Sequence, residues 1–304
     1  MTQAMKPTKI LCILSLFLLS ACARPAPPTL ELTNAVISDE AVWSGEVRIT
    51  GVTVVKKGGK LTILPGTRIV FMPLDRDGDA IGDSELLIEG SLIAKGTAQA
   101  PILFTSGADT PQPADWKFLY LDFCQQGEIE HIISEYAYSG IQVHFCKASV
   151  KNSIFRHNLD GVRFSTVNIE VSGNLIHDNR HGLRYEERRS QAHIHHNDIR
   201  DNDIGIFVVT RSDNRAVVEY NNITGSRQYQ VKMGLEQPTD VSFPRNWWGT
   251  ADPEAIAASF FDHYYDPHLG RVTAPEPLTE PVDLRQGLVF DPPGGGRAGT
   301  TPAD

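Results

Sequence analysis

An acidic segment in the first third of the chain carries the residues best suited to metal chemistry. Residues 75–83 place carboxylates mostly at alternate positions around a glycine, at Asp75, Asp77, Asp79 and Asp83. Oxygen ligands in such a pattern suit Ca²⁺, which takes about six to eight of them. These four aspartates are therefore candidate calcium ligands, and the alternative is a solvated loop that holds no metal.

A second set of chemistry-bearing residues recurs at fixed distances from glycines at positions 140, 161, 182 and 205. Alignment on these glycines gives two outward columns: Tyr120, Gln142, Arg163, Arg184, Phe207 and Gln230, and Asp122, His144, Ser165, Glu186, Val209 and Lys232. Aromatic, cationic and carboxylate groups on one long face could hold an extended polysaccharide. The candidate ligand-binding face comprises Tyr120, Asp122, His144, Arg163, Arg184 and Glu186.

A repeat of 21–24 residues must position these groups. Its copies hold short stretches of alternating apolar and polar residues, and no copy has the helical period of about 3.6 residues. Copies stacked about 4.8 Å apart would pair strand on strand and bury one continuous core. Two polar columns, Asn158, Asn179 and Asn202 and then Ser153, Asn174, Asn197 and Asn221, would satisfy backbone groups at the turns. The repeat therefore predicts an all-β solenoid, a parallel β-helix.

Particular segments carry a family resemblance. Residues 115–121 (Asp-Trp-Lys-Phe-Leu-Tyr-Leu), 129–137 and the Asn/Gly copies resemble bacterial secreted and surface proteins with right-handed parallel β-helix repeats. The opening 43–67 and the ending 246–250 (Asn-Trp-Trp-Gly-Thr) resemble the same group, so the likeness covers residues 43–282. It implies a right-handed coil whose faces hold polysaccharides in sugar-processing relatives. The clustered Asp, Arg and Lys motifs of the lyase and polygalacturonase members are not found here.

The sequence divides into a leader, a tether, the solenoid and a tail. The predicted parts are a signal peptide (1–21), a Pro-rich tether (22–35), N-terminal rungs and cap (36–105, with the acidic segment 75–83), β-helix repeats (106–245), a C-terminal cap (246–282) and a disordered tail (283–304). Within the C-terminal cap, Pro253 favours a short helix with Ile256, Phe260, Phe261 and Tyr264 on one side.

The leader indicates export. Residues 10–19 form an apolar run that is too short to span a bilayer. The four residues Leu19-Ser20-Ala21-Cys22 resemble the lipobox of bacterial lipoproteins, which implies cleavage before Cys22 and its acylation. Ala23 stands where an inner-membrane retention signal usually places Asp, so the outer membrane is favoured. The predicted partner is membrane lipid, with the periplasmic or surface side left open.

Cys124 and Cys146 lie one repeat apart and align in one column. Their Cα separation of about 4.8 Å falls within the range of a disulfide. An exported protein also meets an oxidising compartment. Side chains stacked in register point the same way, however, so two free thiols are the alternative.

Acidic residues of the predicted face are too far apart for sugar hydrolysis. Two catalytic carboxyls lie about 5–9.5 Å apart, whereas Asp122 and Glu186, three rungs apart, would be separated by roughly 14 Å. Asp178 and Asp201 pass on distance but occupy a turn, where Asp is common. No catalytic residue is therefore predicted, and whether the chain is an enzyme stays open, with a non-catalytic module favoured.

Three functions remain after this test. The favoured one is a membrane-anchored envelope lipoprotein with a non-catalytic binding or structural module, whose ligands are glycans or envelope components. The first alternative is a polysaccharide lyase, hydrolase or epimerase. The second is a periplasmic metal-handling protein, which rests on the histidines His177, His181, His193, His195 and His196. The net charge of −9 argues against a nucleic-acid partner.

Overall fold

Short strands follow one another in a fixed cycle of three through residues 29–284, the part of the chain that the computed structural model describes. The predicted signal peptide, Cys22 and residues 285–304 of the predicted tail lie outside these residues. Three sheets of nine, ten and eight strands result, and each strand pairs in parallel with its equivalents one coil before and after. This is the architecture of a right-handed parallel β-helix, so the predicted fold is confirmed.

Each coil contributes one strand to each of the three sheets. The first sheet contains β1 (Leu30–Thr33), β4 (Glu46–Thr50), β7 (Arg68–Phe71), β10 (Ile102–Ser106), β13 (Ile132–Glu135), β16 (Ile154–Arg156), β19 (Leu175–His177), β22 (Asp198–Arg200) and β25 (Asn222–Thr224). The second contains β2 (Val36–Ile37), β5 (Val52–Val55), β8 (Glu85–Ile88), β11 (Trp116–Asp122), β14 (Ala137–His144), β17 (Asp160–Ser165), β20 (His181–Glu186), β23 (Ile204–Thr210), β26 (Tyr229–Glu236) and β28 (Phe260–Phe261). The third contains β3 (Glu40–Trp43), β6 (Lys60–Ile63), β9 (Ser91–Lys95), β12 (Gln126–Glu130), β15 (Lys147–Lys151), β18 (Asn168–Ser172), β21 (Gln191–His195) and β24 (Ala216–Glu219).

Alternation along the strands sends one set of side chains into a continuous core. In the second sheet, Ile141, Val162, Leu183 and Ile206 occupy one inward column, and all four are fully buried. Along each strand, the residues next to these four point outward, because successive side chains of a strand face opposite sides of the sheet. The core therefore holds the outward columns at a regular spacing along the solenoid.

Two ladders of buried asparagines join the coils at the turns. Asn158, Asn179 and Asn202 lie between the first and second sheets. Oδ1 of Asn179 accepts from the backbone N–H and the side-chain amide of Asn158, and Oδ1 of Asn202 accepts from those of Asn179, all at 3.0 Å. The second ladder, between the third and first sheets, runs through Ser153, Asn174, Asn197, Asn221 and Asn246. Both ladders satisfy turn groups that burial would otherwise leave unpaired.

The two ends of the solenoid differ from the sequence prediction. Strand β1 lies within the segment predicted as a tether, so the first coil begins before residue 36. At the other end the helix α1 covers only Pro253–Ala258. Phe260 and Phe261 lie outside it in β28, which adds to the second sheet, because pairing with Val231 and Lys232 satisfies an otherwise open edge. A short ladder of β27 (Val241–Ser242) and β29 (Val272–Thr273) completes the cap.

Candidate ligand-binding face

The six residues of the predicted ligand-binding face lie together on the outer side of the second sheet. Tyr120 pairs with Gln142, which pairs with Arg163, and that pairs with Arg184. Asp122, His144, Ser165 and Glu186 form the neighbouring column. We call Tyr120, Asp122, His144, Arg163, Arg184 and Glu186, with the residues between them, the second-sheet face.

At their far ends, the predicted columns do not match the strand register of the structure. Phe207 pairs with Lys232 and not with Gln230, and Glu186 pairs with Thr210 and not with Val209. The physical reason for the second slip is an irregularity between Tyr185 and Glu186, which shifts the register of the strand that follows. The six residues named above precede these shifts and keep their predicted alignment.

Sequence reasoning missed the residue at the centre of the face, Asp160. Its side chain is only 3% exposed, and its Oδ1 lies 2.7 Å from Nδ1 of His181. Its Oδ2 accepts from Nη1 of Arg184 at 3.0 Å and lies 3.8 Å from Nη1 of Arg163. Burial by itself would raise the pKa of Asp160, but the hydrogen bond from His181 and the charge of Arg184 outweigh it and lower this pKa. Asp160 is therefore a buried anion that holds two arginines in place.

Two polar atoms of the face are buried without a partner among the described residues. They are Nε of Arg184, a donor, and Oε1 of Gln142, an acceptor. Leaving such a group unpaired costs about 1–3 kcal/mol, and in native structures each one calls for an explanation. Both side chains belong to the same outward column, two rungs apart with Arg163 between them, so each atom needs a hydrogen-bond partner of its own.

Tyr120 and His144 form a close pair on the same face. The Tyr120 hydroxyl lies 3.1 Å from Nδ1 of His144, and the rings meet edge to face at 5.4 Å. Burial, with help from the charge of Arg163, lowers the pKa of His144 to about 4. Burial and the nearby Asp122 raise the pKa of Tyr120 to about 12. Both groups are therefore neutral at pH 7 and able to hydrogen-bond a ligand.

Two hollows flank Arg184 on this face. One, of about 190 Å³, is lined by His144, Phe145, Arg163 and Glu186 among others. The other, of about 320 Å³, is lined by Asp160, His181, Phe207 and Lys232 among others. Larger hollows of about 760 and 830 Å³ lie on the third sheet and against the cap. We favour the second-sheet face as the ligand-binding site despite its smaller hollows. It contains both the paired arginines and the unpartnered buried atoms of Arg184 and Gln142.

The predicted calcium ligands divide into three that meet and one that does not. Asp75, Asp77 and Asp79 lie in the loop between β7 and β8, with their carboxylate oxygens within 4.8 Å of one another. All three are exposed, and Asp75 accepts from the backbone N–H of Gly78 at 2.8 Å. Asp83 instead accepts from the backbone N–H of Arg76 at 2.8 Å, outside the group of three. Calcium binding by the loop stays a prediction.

The two cysteines align as predicted but are not bonded. Cys124 and Cys146 are both free and buried, and the backbone N–H of Cys124 donates to Sγ of Cys146 at 2.9 Å. The hydrogen bond with Cys146 and burial raise the pKa of the Cys124 thiol well above its usual range. Of the two possibilities that the sequence left open, a disulfide and two stacked thiols, the structure has the thiols.

The histidines of the metal-handling alternative have separate partners. His177 lies 2.7 Å from Asp178, His193 lies 3.2 Å from Glu219, and Nδ1 of His195 lies 2.9 Å from Nδ1 of His196. Within residues 29–284, Asp75, Asp77 and Asp79 form the one group of three such side chains whose ligand atoms come within 4.8 Å. His193, His195 and His196 lie side by side, since the His195 ring is 4.2 Å from that of His193 and Glu170 lies 3.5 Å from Nε2 of His195, but among the described residues no three of these ligand atoms come within 4.8 Å of one another.

The stacked sheets and the outward columns define a protein of the right-handed parallel β-helix class. A family model described as a right-handed beta helix region matches residues 114–242. A second, described as a pectate-lyase like beta helix domain, matches residues 35–141. The chain therefore belongs to the right-handed parallel β-helix repeat group with a pectate-lyase-like fold. No curated protein and no solved structure matches it significantly. Among residues 29–284, no helix has the length and apolarity needed to cross a membrane.

Proposed function

We propose that the second-sheet face binds an extended anionic polysaccharide, as a non-catalytic module of an envelope lipoprotein. The observation that carries this proposal is the pair Arg163 and Arg184, aligned in one column and held by the buried Asp160. Arg184 donates to this carboxylate at 3.0 Å and Arg163 lies 3.8 Å from it, so two guanidinium groups stand together beside Asp122 and Glu186 of the neighbouring column, on a chain whose net charge is −9. Arginine is also the side chain best suited to grip a carboxylate or sulfate in a fixed orientation.

The shape of the face supports a chain-like ligand. Its column continues from Arg184 to Phe207 and Lys232, so aromatic and cationic side chains follow one another about every 4.8 Å along the solenoid. The guanidinium of Arg184 lies 5.9 Å from the centre of the Phe207 ring. An extended ligand with repeated anionic groups would meet a donor on successive rungs.

The carboxylates of the face argue against hydrolysis. Asp122 and Glu186 lie three rungs apart, roughly 14 Å, which exceeds the separation that either glycosidase mechanism uses. Asp160 is already engaged by three cationic or histidine side chains, and its lowered pKa makes it a poor general acid. The enzyme alternative rests instead on Tyr120 and His144, two titratable side chains that hydrogen-bond each other beside the arginines.

The proposal predicts that Arg184→Ala weakens binding of polygalacturonate at least about tenfold, since a charge-assisted hydrogen bond contributes roughly 1.5–3 kcal/mol. Affinity electrophoresis against polygalacturonate, alginate and neutral dextran would measure it, with released sugars assayed in parallel. The matched control is Arg200→Ala on the first sheet, where Arg200 pairs with Asp198 and Asp201. Equal binding by both variants would contradict the proposal, and sugar release lost on His144→Ala would favour the enzyme.

We further propose that the solenoid is anchored to the outer membrane through acylated Cys22. Residues 23–29 alone separate Cys22 from the first strand, which limits that span to about 25 Å even when fully extended. The first coil would therefore stand close to the bilayer. Metabolic labelling with radioactive palmitate is expected to mark the wild type and not Cys22→Ser. Labelling of both proteins would refute the anchor.

A further inference from the structure

One corner of the solenoid, between the second and third sheets, carries an unusual run of residues. Phe123, Phe145, Thr166 and Arg188 occupy it on successive coils, with φ values of 49°, 51°, 53° and 50°. The backbone N–H of each phenylalanine donates to the carbonyl of the next coil, at 3.2 Å for Phe123 and 3.0 Å for Phe145. We call these four residues the corner column. It borders the second-sheet face, because Phe123 follows Asp122 and Phe145 follows His144.

The two phenylalanines of the corner column are not explained by folding. Their rings stack at 4.4 Å with an angle of 11°, yet Phe123 is 66% and Phe145 48% exposed. A bulky residue at positive φ is uncommon and costs roughly 1–2 kcal/mol. The conformation itself belongs to the corner, because Thr166 and Arg188 share it, but the corner does not require a large and exposed aromatic side chain in that conformation. A functional reason for the pair should therefore be found beside it.

The stack of rings stops at Thr166, whose side chain is too short to cover Phe145. Phe123 covers one face of the Phe145 ring, so the opposite face points toward the level of Thr166. The next long side chain of the column, Arg188, begins two coils above Phe145, about 9.6 Å away at the usual strand spacing. The hollow of about 190 Å³ borders this position on the side of the second sheet, with Phe145, Ser165 and Arg188 among its lining residues.

We propose that this hollow is a subsite for one pyranose ring, which stacks on the open face of Phe145 in the place that a third aromatic side chain would take. The C–H edge of a sugar carries the partial positive charge that an aromatic face attracts. Arg188 closes the other side and is fixed by Glu186, whose Oε2 accepts from Nε at 2.9 Å and from Nη2 at 2.7 Å. This inference rests on the proposed polysaccharide-binding function and adds to it the place where one sugar ring is gripped.

The lining favours a sugar over a purely apolar ring. Ser165, His144 and Glu186 offer hydrogen-bond acceptors or donors around the open ring face. A hydrocarbon ring would displace water from these groups and offer no hydrogen bond in return, whereas sugar hydroxyls could use the hydrogen-bonding capacity that their contacts within the protein leave over. The neutral state of His144 at pH 7, which follows from its buried position, suits it to a hydroxyl partner.

Filling the subsite from within the protein gives a direct test. Thr166→Phe would extend the stack by one ring, in a backbone conformation that Phe123 and Phe145 already adopt, and would cover the open face of Phe145 on which the sugar is proposed to stack. Binding of polygalacturonate by Thr166→Phe and by Phe145→Ala is expected to fall about tenfold, the equivalent of one lost stacking contact. The melting temperature and near-ultraviolet circular dichroism of each variant would confirm its fold.

The matched control places a phenylalanine at the opposite corner of the second sheet, where it replaces an imidazole ring. His157→Phe makes a similar change next to Tyr136, where residues at positive φ also stack, at 5.5 Å. Its binding is expected to equal that of the wild type. Loss of binding in Arg184→Ala with wild-type binding in Thr166→Phe and Phe145→Ala would overturn the subsite alone. A wild type that binds none of the polysaccharides would overturn the proposed function and the subsite together.

Discussion

Replacing Asn197 with alanine is expected to lower the free energy of unfolding by about 3–5 kcal/mol, because several buried polar groups lose their partners at once. Asn197 is fully buried in the ladder between the third and first sheets. Its Oδ1 accepts from the backbone N–H of Asn174 at 3.0 Å and from the Asn174 side-chain amide at 2.8 Å. Its own amide donates to the carbonyl of Val171 and to Oδ1 of Asn221, both at 2.9 Å.

The size of this effect follows from the ladder's position. Alanine fills less space and supplies neither donor nor acceptor, and water cannot easily reach a fully buried turn. The backbone N–H of Asn174 would lose its acceptor, and the Asn174 amide and the Val171 carbonyl would each lose one partner, whereas Oδ1 of Asn221 keeps the backbone N–H of residue 197 and the Asn174 amide keeps the carbonyl of Val150. Each such group costs roughly 1–3 kcal/mol, reduced by whatever local rearrangement the turn allows.

Urea denaturation followed by circular dichroism would measure the change. The matched control is Asn168→Ala, an exposed asparagine on β18 whose amide reaches Oε1 of Gln191 at 3.4 Å. Its effect is expected to stay within about 0.5 kcal/mol. Similar losses in both variants would mean that the ladder contributes no more than a surface contact.

The same ladder explains why the fold was predictable from the sequence. Asn174, Asn197 and Asn221 are spaced by whole coils, because each must reach the equivalent turn of the next coil. A periodicity of residue types therefore reports the stacking directly, without any knowledge of side-chain contacts. The outward column of Tyr120, Arg163 and Arg184 follows from the same alignment.

Other features depend on local geometry that residue types do not report. The register shift after Tyr185 moves the far end of the face by one residue or more, and nothing in the spacing of the glycines marks it. The left-handed conformation of Phe123 and Phe145 is equally hidden, since the other corner positions hold Thr166 and Arg188. The unbonded state of Cys124 and Cys146 depends on the direction of each thiol, which alignment in one column leaves open.

Asp160 shows the same limit at the centre of the site. It lies one residue before a glycine of the repeat, where the neighbouring coils have Ser139 and His181. Its partners His181 and Arg184 are 21 and 24 residues away, one coil on. The sequence does carry a signal for the site: Asp160 shares a column with His181, and Arg163 and Arg184 follow one another in a nearby column. Comparing adjacent columns as well as single columns would have found it.

Replacing Asp160 with asparagine is therefore expected to lower the free energy of unfolding by about 3 kcal/mol at pH 7, since removing one partner of a buried ion pair leaves its cations uncompensated. Arg163 and Arg184 have side chains only 23% and 21% exposed, so water can screen them only in part. Asparagine keeps the shape and one acceptor oxygen, which places the loss at the lower end for buried pairs. Thermal and urea unfolding of both proteins would measure it.

The pH dependence of this difference has a definite sign. The folded pKa of Asp160 is lowered by His181 and Arg184 against the opposing effect of burial, so its charge stabilises the fold above the unfolded pKa, about 3.9. That contribution is lost as the pH falls through the folded pKa. The stability gap between wild type and Asp160→Asn is therefore expected to be constant near neutral pH and to shrink below about pH 4. A gap that widens on acidification would contradict the ion-pair account.

Ligand binding is expected to respond in the opposite direction to stability. Among the described residues, Asp160 is the one carboxylate that forms an ion pair with Arg163 and Arg184. Asp160→Asn removes its charge, so the face becomes more positive. At a temperature where the variant stays folded, its affinity for polygalacturonate should rise, and should fall again with added salt because charge attraction is screened. Neutral dextran serves as the control, since its binding should not depend on this charge. Weaker binding of polygalacturonate by a folded Asp160→Asn would mean that Asp160 acts by orienting the arginines, and that their orientation matters more to the ligand than the net charge of the face.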